Sequence, residues 1–217
     1  MFSRLFRSSS RSKLLAAAFN DVTTMLDQAG AMLDHSVEVL LENAPLELDL
    51  VEMDDVVDEG EREVRRLVLE HLSMNPKQDL VASLILVSIV NDAERIGDFA
   101  RGLAGLASVS QSPRTGRFAT ELRELAGRVR QMFALTAAAF RDDDVENARR
   151  VIVHHTVIKR EFRALVDRVA ASELSADMAI TYASGARILR RISAHLSNIA
   201  STVVQPFDRI RHGDEDV

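Results

Sequence analysis

The chain has 217 residues, enough for a substantial core, with 47% hydrophobic residues but only four prolines, nine glycines, one Tyr and no Trp. It has no cysteine, which excludes disulfides, thiolate metal sites and a cysteine nucleophile. The net charge of −6 is uneven: residues 1–108 hold 10 basic and 19 acidic side chains and residues 109–217 hold 17 and 14, so the acidic half favours cations as ligands.

The first 13 residues form a basic amphipathic segment, in which Phe2, Leu5 and Phe6 interleave with Arg4 and Arg7. The apolar stretch that follows, "LLAAAF", is only six residues long before Asn20 and Asp21, too short for a secretory signal. Pro45, Pro76 and Pro113 then divide the first half into three segments with apolar residues at helical spacing. In the first, Leu15, Phe19, Val22, Leu26, Ala29, Leu33, Val37 and Leu40 follow steps of three and four. The second carries Val51, Val56, Val57, Val64, Leu67, Val68 and Leu72, and the third Leu80, Leu84, Val87, Ile96, Phe99, Leu103 and Leu106. No stretch alternates with the period of two that a half-buried strand requires. The most apolar run, "LVASLILVSIV" at 80–90, has 11 residues, against roughly 20 for a membrane span.

A linker-like stretch, "SVSQSPRTG" at 108–116, marks the midpoint. The second half repeats the plan. One helix is expected over about 115–141, a turn at 141–148 capped by Asp143 or Asp144, a second helix to about 171, and a third over about 174–205 stopped by Pro206. "ERIGDFARGLA" at 94–104 aligns with "RRISAHLSNIA" at 190–200, each late in the third helix of its half. The expected fold is therefore all-α: six long helices forming two tandem three-helix bundles, over residues 14–108 and 109–206, with a tail at 207–217.

The chemistry lies in the first half. In "VSIVNDAERIGDFARGLA", Asn91, Glu94, Asp98 and Arg101 share one helix face. Glu94 and Asp98, one turn apart, repel unless a cation lies between them. The second helix brings Asp54, Asp58 and Glu61 onto one face of an acidic stretch, 46–64, whose only base is Arg62. If the two helices pack antiparallel, as a short connection requires, these faces can meet. Clustered hard oxygens suit Mg²⁺, Mn²⁺, Ca²⁺ or iron. The plain alternative is a solvated acidic face. A ferritin-like diiron oxidase is excluded because none of the six histidines follows a glutamate by three residues. No Gly-rich phosphate loop is present either; Gly97, Gly102 and Gly105 fall inside a helix, where they would allow close helix approach.

At these residues the sequence resembles the PhoU family, regulators associated with phosphate uptake. "NDAERIGDFARGLA" is similar to the family's third-helix signature, with Glu94 and Asp98 as its E(D)xxxD motif, and "DDVVDEGEREVRRL" to its second-helix pattern, with Asp54 and Asp58 in the carboxylate places. The resemblance covers nearly the whole chain. It implies a non-enzymatic, cytoplasmic helical protein that binds one or more divalent or trivalent metal ions (Mg, Mn, Fe, Zn or Ca). It also implies contact with a membrane phosphate transporter and, in some bacteria, a sensor kinase. Nucleic acid is not an expected partner; a homodimer is open to the long helices.

The second half departs from that pattern. Arg190 and Ala194 stand where Glu94 and Asp98 would recur, and the fifth helix, "VIVHHTVIKREF", has no acidic run. His154, His155 and His195 are candidates for a substitute metal site there, if the fifth and sixth helices bring them together. Phe2, Arg4, Leu5, Phe6 and Arg7 are candidates for a peripheral membrane or carrier contact, the alternative being a frayed end.

Overall fold

The computed structural model describes residues 12–42, 44–46, 49–109 and 112–207. Six helices account for most of them: α1 Lys13–Glu42, α2 Leu50–Met74, α3 Leu80–Gly105, α4 Arg117–Asp142, α5 Val145–Ala170 and α6 Ala176–Val204. A short 3-10 turn, Leu106–Ser108, extends α3. No strand occurs among the described residues. The basic segment at 1–11, with Phe2, Arg4, Leu5, Phe6 and Arg7, lies outside the described residues, as does 208–217.

The ends of these helices follow local chemistry. Helix α2 begins at Leu50 because the Asp49 carboxylate accepts from the backbone N–H groups of Val51 and Glu52, two of the donors that a first helical turn leaves without partners. Asp144 does the same for α5, accepting from Glu146 and Asn147. Of the two caps offered by the sequence, Asp144 is therefore the N-cap, while Asp143 closes α4 in the left-handed region at φ 55°. Such a position tolerates a short polar side chain better than a bulky one.

Helices α1, α2 and α3 pack on one another, as do α4, α5 and α6; α3 against α6 and α1 against α4 join the two groups. The apolar stripe read from α1 is the buried one: Leu15, Phe19, Val22, Leu26, Ala29, Leu33 and Leu40 are all in the core. Phe19 stacks on Phe140 of α4 with ring centroids 5.0 Å apart, and Gly30 lets the Phe133 ring approach α1, where an added Cβ would stand 3.3 Å from it. Arg130 of α4 reaches Asp34 of α1 at 2.6 Å, and Arg123 pairs with Glu42. Residues Asn75 to Asp79 connect α2 to α3 in so short a turn that the two helices must run antiparallel. At that turn the buried His71 accepts from the Ser12 hydroxyl at Nδ1, 2.8 Å, and donates from Nε2 to the Gln78 carbonyl, 2.9 Å, pinning the start of α1 to the loop.

Candidate functional site

Antiparallel packing of α2 on α3 brings the acidic face of each toward the other. The two helices approach closely at Gly97. A Cβ placed there would meet Asp54 Oδ1 and Val57 Cγ1, each at 3.3 Å, so glycine is what allows Asp54 to lie against α3. Gly102 and Gly105 do not share this role, since an added Cβ at either would touch nothing within 4 Å. The expectation that all three glycines serve helix approach is thus corrected to Gly97 alone; the other two point into open space.

Asp54 is 5% exposed although it is a carboxylate. Burial is the largest influence on it and raises its pKa; Arg101 works the other way, and Asp98, Asp58 and Asp55 raise it further. Arg101 Nη1 donates to Asp54 Oδ2 at 2.9 Å and Nη2 to Asp98 Oδ1 at 3.4 Å. A single guanidinium therefore spans a carboxylate from each helix. The other oxygen of Asp98 accepts from Arg95 Nη1 at 3.1 Å. Glu61 is held by Arg65 at 2.8 Å, and Asp58 lies 3.9 Å from Arg62.

Glu94 is the least compensated of the group. Its Oε2 is buried without a hydrogen bond, and the Arg95 Nε on the same helix stands 3.5 Å away. Burial, then the Asp98 charge, then Glu61 and Asp58 push its pKa up to about 7, with Arg95 opposing. Arg101 bridging Asp54 of α2 and Asp98 of α3 shows the two acidic faces lying against each other, and the charges of Glu61 and Asp58 act on Glu94 across the same helix pair. Among the described residues no three His, Asp or Glu side chains stand in coordinating positions, and arginines pair with several of the carboxylate oxygens. The donor chemistry nonetheless fits a cation. The oxygens are hard, they repel one another, and one is buried without a hydrogen bond, a combination that a bound cation would relieve.

Among its described residues the second half offers no counterpart. His195 Nδ1 donates to Asp92 Oδ1 of α3 at 2.7 Å, and His155 Nδ1 bonds Ser193 Oγ at 2.9 Å. The candidate trio His154, His155 and His195 is therefore not assembled as a group, since His195 is turned into the α3–α6 contact. Arg190 lies over the Phe162 ring at 5.2 Å, in the place where a glutamate would recur. Sequence reasoning missed the Asp92–His195–Asn198 network. Its only signal was polar residues in otherwise apolar helices, which does not say what they meet.

The family model described as the PhoU domain matches residues 22–107 and 122–203. A relative from Thermotoga maritima, the phosphate-specific transport system accessory protein PhoU homolog 1, is 28% identical over 193 residues, covering 85% of this chain and 83% of that protein. The crystal structure of PhoU from Pseudomonas aeruginosa superposes with a TM-score of 0.79 at 24% identity, covering 88% of this chain and 95% of that one. The phosphate transport system regulatory protein PhoU from Streptococcus pneumoniae gives a TM-score of 0.79 at 16% identity, over 91% and 97% of the two chains. These two structures share the fold of six helices described above.

Proposed function

Since the chain belongs to the PhoU family, we propose that it is a non-enzymatic accessory or regulatory protein of a membrane phosphate transporter, and that it binds metal through the facing carboxylates of α2 and α3. The name of the Thermotoga relative supports the transport role. The observation that carries the metal reading is the buried, unbonded Oε2 of Glu94 at a place where Asp58 and Glu61 of one helix face Glu94 and Asp98 of the other. Asp54, Asp58, Glu61, Glu94 and Asp98 would be the donors. A metal ion there, of the class Mg, Mn, Fe, Zn or Ca, would supply positive charge shared by two helices, tying α2 to α3. The protein would act in the cytoplasm. No helix among the described residues is long and apolar enough to cross a membrane.

Metal analysis of purified variants tests this. Asp54→Ala, Asp58→Ala, Glu94→Ala and Asp98→Ala are each expected to lose most of the metal that the parent retains. Arg191→Ala is expected to keep it, because Arg191 lies 4.4 Å over the Phe99 ring and touches none of these carboxylates. Equal metal in all five proteins would refute the assignment.

A second reading is favoured by the arginines on Asp54, Asp98 and Glu61. In it the acidic face binds no metal and docks a basic surface of the partner. Melting that is unaffected by a chelator, together with partner binding weakened by the same four substitutions, would select it.

A further inference from the structure

We infer that Arg101 is a built-in counter-cation that competes with metal for the candidate site, so that metal loading requires its guanidinium to leave. The inference rests on the reading of the α2–α3 carboxylates as a metal site and specifies how that site is controlled. Arg101 holds Asp54 of α2 through Nη1 at 2.9 Å and Asp98 of its own helix through Nη2 at 3.4 Å. It thereby makes the bridge between helices that a metal ion would make. Asp54 is 5% exposed, so it needs a counter-charge whenever metal is absent. Arg101 is suited to supply it reversibly, because its own side chain is 43% exposed and the guanidinium has solvent to move into. A guanidinium on Asp54 Oδ2 and a divalent ion on the same oxygen would repel at contact distance, so the two states exclude each other.

The other arginines of the cluster do not duplicate this arrangement. Arg95 contacts Glu94 and Asp98, both on its own helix, and Arg62 and Arg65 pair only along α2. Among the ion pairs described for the cluster, the one formed by Arg101 with Asp54 is the one that crosses from α3 to α2. Two consequences follow. The metal-free protein keeps its α2–α3 tie, and metal affinity is lowered by the free energy needed to displace the arginine.

The test compares Arg101→Gln with the parent by calorimetric titration with Mn²⁺ and by melting in the presence of a chelator. Arg101→Gln is expected to bind Mn²⁺ more tightly, by up to about fivefold, the upper end for a half-exposed ion pair, and to melt lower when metal-free. Added Mn²⁺ should raise its melting temperature more than it raises the parent's. Equal or weaker Mn²⁺ binding by Arg101→Gln would overturn the competition while leaving the metal site standing. Absence of Mn²⁺ binding in both proteins would overturn the metal site, and the competition with it. If Arg101→Gln does not fold, Arg101→Lys serves for the same comparison. It keeps the charge but not the fork that reaches two carboxylates, and it is expected to bind Mn²⁺ more tightly than the parent. A parent-like affinity would overturn the inference.

Discussion

Glu94 shows how one residue can be unfavourable to the fold and still have a use. Its carboxyl is removed from most solvent contact, faces three other carboxylates, and has its pKa pushed up to about 7. The unfolded chain releases this proton near the ordinary glutamate pKa, whereas the folded chain holds it to about 7. Between those values the folded state binds more protons, so stability contributed by this group is full at low pH and falls as pH rises toward neutrality. Glu94→Gln removes the ionisation and keeps the shape. In chelator at pH 8 it is expected to melt higher than the parent, by on the order of 3 °C, with the difference shrinking toward zero at pH 5. Melting curves at the two pH values check this. A variant less stable than the parent at pH 8 would mean that the charge of Glu94 is compensated in the fold after all. The residue was legible in sequence as a carboxylate one turn from another in an apolar helix. Its partners were only partly legible: Asp58 and Glu61 could be named as facing it, whereas the placement of Arg101 on Asp54 depends on a side-chain path across two helices that periodicity does not fix.

At the scale of an element, α3 carries three glycines that look alike in sequence and behave differently in the fold. Gly97 sits where Asp54 and Val57 press on α3, and Gly102 and Gly105 face open space. Alanine is a better helix former than glycine by about 1 kcal/mol, so the surroundings decide the sign of each substitution. Gly102→Ala is expected to raise stability by about 0.5–1 kcal/mol. Gly97→Ala forces Val57, buried in the core, and Asp54, held by Arg101, to give way; it is expected to lower stability by about 1–2 kcal/mol despite the helical gain. Urea unfolding of the two variants separates them, and an equal gain from both would show that the α2–α3 approach is not tight. The helices of the second half were closely readable in the sequence. α6 was expected over 174–205 and runs Ala176–Val204, because Pro206 and the apolar periodicity are strong local signals.

Across the whole molecule the two groups of helices are joined by a polar contact set among apolar ones. Asp92 of α3, 3% exposed, accepts at Oδ1 from His195 Nδ1 at 2.7 Å and from Asn198 Nδ2 at 3.0 Å, both on α6. Phe99 stacks on the His195 ring at 5.6 Å, and Arg191 covers Phe99 in turn. The repeated segment at 94–104 and 190–200 could be read from the chain. How the two copies face each other could not, since it depends on pairs more than 100 positions apart, with no local pattern to announce them. A buried carboxylate with two donors fixes that facing more narrowly than apolar contact does, because sliding α3 along α6 would leave all three groups unpaired. Asp92→Ala leaves the Asn198 amide and the His195 ring without their acceptor, a loss expected to cost about 2–3 kcal/mol. Asp92→Asn keeps an acceptor oxygen and should cost less. If the three side chains act as a unit, adding His195→Ala to Asp92→Ala costs less than the two single losses combined, by more than about 0.5 kcal/mol. Chemical unfolding of the single and double variants measures that coupling. Strict additivity would mean that apolar packing alone sets the register between the two halves.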